Sequence, residues 1–117
     1  MEVDRRALWL RGVLDLCVLG VLVSAEGHGY GLIQRLETAG LSRIKGGTLY
    51  PVLARLEQAG LVAAEWRLGA HGPGRKYYVL TEAGEDVLAS QGRAWRAFTD
   101  STRSLLDESG LNERRLP

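Results

Sequence analysis

Apolar positions recur at helical spacing near the start of the chain. Leu10, Val13, Leu14, Cys17, Val18, Val21 and Leu22 form a stripe that Leu16 and Leu19 widen to most of the circumference. The pattern predicts a helix over 8–25, buried on several sides as a core spine and broken at Gly27-His28-Gly29. A second helix is predicted over 31–39, with Leu32, Ile33 and Leu36 turned inward and Gly40 as its stop. After a connector over 41–47, a third helix is expected with Thr48 as N-cap, Pro51 in the first turn and Gly60 as the left-handed residue beyond its end. At about 100° per residue, Leu49, Val52, Leu53 and Leu56 share one face, and Tyr50, Pro51, Ala54, Arg55 and Gln58 cover the opposite one. The first set reads as core and the second as an outward face.

The period then changes. Strands are predicted over 61–68 and 75–80, and on the return strand Tyr77 and Val79 alternate with Lys76, Tyr78 and Leu80. Trp66, alternating with Ala64, reads as core or as support for this hairpin. The intervening Gly69-Ala70-His71-Gly72-Pro73-Gly74 contains no Asn-Gly turn, so a longer, mobile loop is expected with His71 exposed at its tip. Thr81 caps a final helix whose first turn carries Glu82 and Glu85, well placed for the positive end of the dipole. This helix runs to about residue 109, roughly 40 Å in length. Leu88, Trp95 and Thr102 are spaced seven apart, as are Gln91, Phe98 and Leu105. Interleaved, they form a heptad seam. A long helix following a closed small domain has little of that domain left to pack on, so the expected partner is a second copy of the chain. The polar segment 110–117 is expected to be a flexible tail.

These elements make a mainly α (α+β) chain with the layout of a winged helix-turn-helix over 8–80 and a C-terminal dimerisation helix over 81–109. Such a layout puts the start of the third helix into a DNA groove and a cationic loop beside it. Thr48, Tyr50, Pro51 and Arg55 lie at the start or on the open face of that helix. A tyrosine hydroxyl suits a phosphate oxygen, and an arginine serves a phosphate or a guanine edge; alternatively, Tyr50 packs its ring on the second helix and exposes only its hydroxyl. Tyr30 either contacts phosphate or packs into the core. Lys45, like Arg43, is a phosphate anchor or a solvated charge. Arg75 and Lys76 follow the glycines of the hairpin tip and reach a flanking groove or phosphates, unless the tip is merely solvated.

Charge sharpens this picture only when divided along the chain. The net charge is +1 overall, but residues 28–80 carry seven basic against three acidic groups, while both flanks are acidic. Arginine supplies 13 of the 15 basic residues, which suits bidentate phosphate or guanine contacts. The single cysteine, Cys17, excludes an internal disulfide and a cysteine zinc cluster, and it reads as a buried small hydrophobe. The apolar run 16–22 is too short to span a membrane, so a cytoplasmic location is the default expectation. Two histidines and no paired acid–base set give no catalytic site, no metal site and no cofactor to predict.

Gly29-Tyr30-Gly31, the run GTLYPVLARLEQAGL over 47–61 and the run GRKYYVLTEAG over 74–84 resemble PadR-family transcriptional regulators, in particular the short subfamily with a single C-terminal helix. The resemblance covers most of the chain, about 10–98. It implies a homodimeric winged-helix repressor on a pseudo-palindromic double-stranded DNA operator, relieved by phenolic, aromatic or drug-like small molecules. Trp95 stands where some short members carry an aromatic residue facing an effector pore at the dimer centre. It is either a seam residue between two helices or a stacking plate for a flat ligand. Trp9 and Phe98 are candidates to line the same space, with Leu88 and Gln91 from the seam. The competing expectation is a small-molecule-binding or protein-interaction module that keeps the fold without specific DNA binding.

Overall fold

The single helix expected over 8–25 is two helices. In a computed structural model, which describes residues 3–69, 72 and 74–108, α1 (Arg6–Arg11) ends at Gly12 and α2 (Leu14–Ser24) begins after Val13. Leu10 is 8% exposed and Leu14 is 2% exposed, so the apolar stripe continues through a break in the backbone. The expected exposure of His71 and flexibility of 110–117 lie outside the described residues.

Next comes β1 (Gly27–His28), a two-residue strand where only a break was expected. It forms one edge of an antiparallel sheet of order β1-β3-β2, with β2 at Val62–Arg67 and β3 at Arg75–Leu80. Gly27 pairs with Tyr78 and His28 with Tyr77, while Val62↔Leu80 through Arg67↔Arg75 register the hairpin.

α3 (Gly29–Thr38) starts two residues before the predicted position because the His28 side chain caps it, Nδ1 accepting the Gly31 N–H at 3.3 Å. α4 (Gly46–Gln58) also starts early. Its N-cap is Lys45, in extended conformation, and not Thr48, which is the third helical residue and whose N–H donates to the Lys45 carbonyl at 2.9 Å. Pro51 consequently lies in the second turn, inside the helix; the carbonyl it cannot serve belongs to Gly47, which is exposed to water.

Both helices end alike. Gly40 and Gly60 take φ of 99° and 76°, and the residues after them donate back to Leu36 and Leu56, a double-bonded left-handed termination. The two stops fix the turns that lead from α3 to α4 and from α4 into the wing.

The core gathers around Val18, Leu19, Leu32, Leu36, Leu49 and Leu53, each less than 2% exposed, with Tyr78 closing it from the sheet. Cys17 is half-buried beside this core and not fully inside it; burial, reinforced by Asp15, pushes its thiol pKa up. Trp66 is not core, being 72% exposed on a hairpin that extends past the helices.

α5 (Glu82–Glu108) is docked through its first turn. Thr81 Oγ1 accepts the Gly84 N–H at 3.0 Å as the predicted cap, and donates to the Gly60 carbonyl at 2.7 Å. A side chain at position 84 would lie 2.1 Å from the Leu61 carbonyl oxygen, so only glycine permits this approach. The early part of α5 packs on α2; farther along, Phe98, Leu105 and Leu106 are exposed.

Candidate nucleic-acid interface

α4 separates its faces as its periodicity requires. Leu49, Val52, Leu53 and Leu56 are buried, and Tyr50, Pro51, Ala54, Arg55 and Gln58 are exposed. Tyr50 combines the two roles open to it. Its ring lies against Gly29 of α3, where a Cβ would fall 2.4 Å from the hydroxyl, yet the residue is 49% exposed. Tyr30, at the start of α3, is 65% exposed and therefore on the surface, not in the core.

Two hollows meet at this pair of tyrosines. One, of about 390 Å³, runs to the wing and is lined by Tyr30, Tyr50, Arg75 and Lys76 together with His28 and Trp66. The other, of about 870 Å³, runs along the α3–α4 connection and is lined by Tyr30, Tyr50, Arg43 and Lys45. Five of the eight sequence-predicted positions thus share one concave face. Thr48, Pro51 and Arg55 line neither hollow and stand exposed on α4.

The cations of the basic segment divide into two groups. Arg35 is spent on the end of α2, where it donates to the carbonyls of Val21 at 2.5 Å, Ala25 at 2.9 Å and Glu26 at 3.3 Å. Arg67 donates to Glu26 at 2.9 Å and to Glu65 at 2.8 Å, with its guanidinium 4.6 Å over the Tyr77 ring. These hydrogen bonds hold the Glu26 carboxyl below the usual carboxylate range and raise Arg67 above its own. Lys76 pairs with Glu57 of α4 at 3.0 Å, which raises the ammonium pKa and ties wing to helix. Lys76 therefore lines the hollow as a paired charge and not as a loose wing anchor. Arg43, Lys45, Arg55 and Arg75 are exposed and make no ion pair among the described residues.

On α5, the rings of Trp95 and Phe98 lie 5.8 Å apart between centroids and are tilted by 40°. Gln91, Trp95 and Phe98 line a hollow of about 340 Å³ with Leu16 and Leu19 of α2. Trp9 meets Trp95 in a smaller apolar one of about 140 Å³. Leu88 packs against the core and lines neither.

His28 and Glu26 were not among the predicted positions. Histidine is not among the preferred N-cap residues, and the pairing that places it at the wing follows from a two-residue strand without periodicity, so neither role had a signal in the sequence. Among the described residues no group of three or more His, Cys, Asp or Glu side chains could hold a metal ion, and no helix is long and apolar enough to cross a membrane.

Comparison with known proteins agrees with this layout. The family described as transcriptional regulator PadR-like matches residues 18–90. A transcriptional regulator of Mycobacterium tuberculosis is 39% identical over 84 residues, 72% of this chain and 77% of its own. Among solved structures, a PadR family transcriptional regulator from Eggerthella lenta superposes with a TM-score of 0.76 at 39% identity, covering 86% of this chain and 88% of that one. A PadR-like transcription factor from Bacteroides fragilis gives 0.71 at 32% identity, covering 85% and 95%.

Proposed function

The chain belongs to the PadR-like family of transcriptional regulators, and from that premise we propose that it is a homodimeric, ligand-responsive repressor of a pseudo-palindromic DNA operator. Members of the family regulate transcription through DNA and are not enzymes. In this reading residues 8–80 bind DNA and 81–109 dimerise. Tyr50, Thr48, Pro51 and Arg55 present α4 to the major groove. Tyr30, Lys45 and Arg75 hold flanking phosphates, and Lys76 orients the wing.

The observation that carries the DNA part is the partition of cations. Among the described residues, the cations of the basic segment with neither an ion pair nor a carbonyl partner, namely Arg43, Lys45, Arg55 and Arg75, are exposed; Arg55 stands on the outward face of α4 and the others line the two hollows. Dimerisation is supported by α5, where Phe98 and Leu105 of the heptad seam are 60% and 69% exposed, more apolar surface than a lone helix needs. Ligand response is supported by the hollows flanking Trp95, which lie beside the same helix. A ligand there would act by changing the separation of two reading helices that must match half-sites about 34 Å apart.

Footprinting over the chain's own promoter tests the whole reading. Protection of two symmetric half-sites is expected, with Arg55→Ala and Arg75→Ala each weakening binding and lowering the salt slope by about one. If there is no sequence-specific binding at low salt, the chain is an interaction module on a regulator's fold. Sedimentation of a Phe98→Glu, Leu105→Glu variant checks the dimer, which should dissociate. Candidate aromatic effectors are titrated by tryptophan fluorescence, where equal affinity of the parent and Trp95→Ala rules out stacking on that ring.

A further inference from the structure

His28 stands at the root of the wing with more hydrogen-bond donors around it than it can satisfy. Its Nδ1 accepts the Gly31 N–H at 3.3 Å, and its Nε2 lies 3.2 Å from Nη1 of Arg75. The ring is fixed edge-on against Tyr77, 5.4 Å between centroids at 80°, and its backbone pairs with the same residue across β1 and β3. A neutral imidazole has one N–H and one lone pair. With the lone pair of Nδ1 used by Gly31, the proton is on Nε2, where it faces a guanidinium N–H: donor against donor. In the other tautomer Arg75 is satisfied, but the ring N–H then opposes the Gly31 N–H. The cluster holds three donors for one lone pair in either case, and no carboxylate among the described residues pairs with Arg75.

An external anionic oxygen resolves the excess. Both residues line the hollow that also carries Tyr30, Tyr50 and Trp66. An anion there receives one charged and one neutral N–H, flanked by aromatic surfaces that suit a deoxyribose. Building on the DNA-binding reading above, we propose that the Nε2–H of His28 and the guanidinium of Arg75 clamp one phosphate of the DNA backbone between them, so that β1 exists to carry a phosphate ligand to the wing. The clamp fixes how the wing sits on the duplex and carries no base information, since phosphate contacts position and do not specify.

His28→Asn separates this role from capping. Asparagine is among the best N-cap residues, so its side-chain oxygen keeps the Gly31 N–H satisfied, while its side chain is too short to bring an amide N–H to the place of Nε2 beside Arg75. The expected result is a thermal midpoint lower by no more than about 5 °C, from loss of the ring contact with Tyr77, and affinity lower by about tenfold for each copy bound. The loss is equal for operator and unrelated DNA, and the salt slope is unchanged because a neutral donor releases no counterion. Arg75→Ala lowers both affinity and slope, and the double variant loses less than the product of the two single losses, because both residues serve one phosphate.

Scanning the parent's binding with single methylphosphonate linkages, each neutral, adds a readout independent of variant folding. One linkage per half-site should cost the parent heavily and His28→Asn several-fold less, the remainder being the Arg75 contact. The clamp is overturned if His28→Asn binds DNA as the parent does, if the two losses multiply, or if no linkage distinguishes the proteins; the DNA-binding reading survives each of these. Failure of the parent to bind DNA at low salt overturns both. A shift of the His28 ring nitrogen signals by millimolar inorganic phosphate, with no competition by DNA, assigns the hollow to a free anion and also overturns the clamp.

Discussion

Replacing Gly29 with alanine puts a methyl group where the Tyr50 ring lies, at 2.4 Å from Oη, 2.5 Å from Cε1 and 2.6 Å from Cζ. Ordinary contact begins near 3.4 Å, so the ring must retreat by about 1 Å or more. The backbone itself accepts alanine, since Gly29 is helical and not among the positive-φ glycines. Tyr50 is 49% exposed, so it can swing outward without disturbing the core. Giving up about 100 Å² of ring burial costs roughly 2.5 kcal/mol, and alanine returns at most about 1 kcal/mol of helix propensity. The expected net loss is about 1–2 kcal/mol by urea denaturation. Operator affinity should fall about tenfold as the hydroxyl leaves its place on the reading face. In a Tyr50→Ala background the obstacle is gone, and Gly29→Ala should become neutral or stabilising. An equal destabilisation in both backgrounds would refute the reasoning, because the cost would then lie in the backbone and not in the tyrosine.

Gly84→Ala meets a backbone carbonyl at 2.1 Å that cannot rotate away. The first turn of α5 must lift and weaken the Thr81 anchorage, at a cost of about 3 kcal/mol in urea denaturation, and a loss below about 1 kcal/mol counts against this packing. Glu26 has a folded pKa depressed by Arg67, so its stabilisation is full above the unfolded value near about 4.3 and is lost as pH falls through the folded value. Stability-versus-pH curves of the parent and Glu26→Gln should converge on acidification and separate at neutral pH; parallel curves are the contrary result. If the four cations without an ion pair among the described residues face DNA as proposed, the salt slope should be about −4 per copy bound, unmoved by Arg35→Gln or Arg67→Gln and reduced by Arg43→Gln or Lys45→Gln. A slope that drops with Arg67→Gln shows that the Glu26 pairing does not hold on DNA.

The faces of α4 were legible because one side is buried in the core and the other is exposed, with Tyr50 alone leaning on Gly29, the condition under which a 3.6-residue period is unambiguous. The same logic hid the α1–α2 break: the backbone leaves helical values at Val13, with φ of −131° and ψ of 0°, but Leu10 and Leu14 both remain buried. Thr48 carries the right chemistry for an N-cap, yet the turn after Ile44, itself 5% exposed, starts the helix three residues earlier. A short edge strand leaves no alternation to read, so β1 and the place of His28 could come only from tertiary pairing. Counting charges located the basic region but not its partners. Of the two carboxylates that take Arg67, Glu65 is two residues away but Glu26 is 41, and the groups that take Arg35 are mainly backbone carbonyls. Trp66 shows the converse: alternation marks a face, while only the reach of the hairpin decides whether anything covers it.

The paired cations explain how the unpaired ones keep their geometry. Glu26 is the junction, its carbonyl accepting from Arg35 of α3 and its carboxylate holding Arg67 of the wing. The end of α2 is thereby fastened to the two elements that flank α4. Farther back, Leu16 and Leu19 of α2 line the hollow under Trp95 and Phe98, and α5 packs along the same helix. In the proposed dimer the copies join through α5, so the distance between two reading faces depends on how α2 seats against α5 and how firmly its other end grips α3 and the wing. A ligand that spreads the Trp95 hollow would displace α2 as a rigid body, and the arginine ties would carry that displacement to Tyr50, Arg55 and Arg75 together. Loosening the wing tie by Glu26→Gln should then leave ligand affinity intact while weakening the ligand's effect on DNA binding, which separates a transmitted displacement from direct competition for the interface.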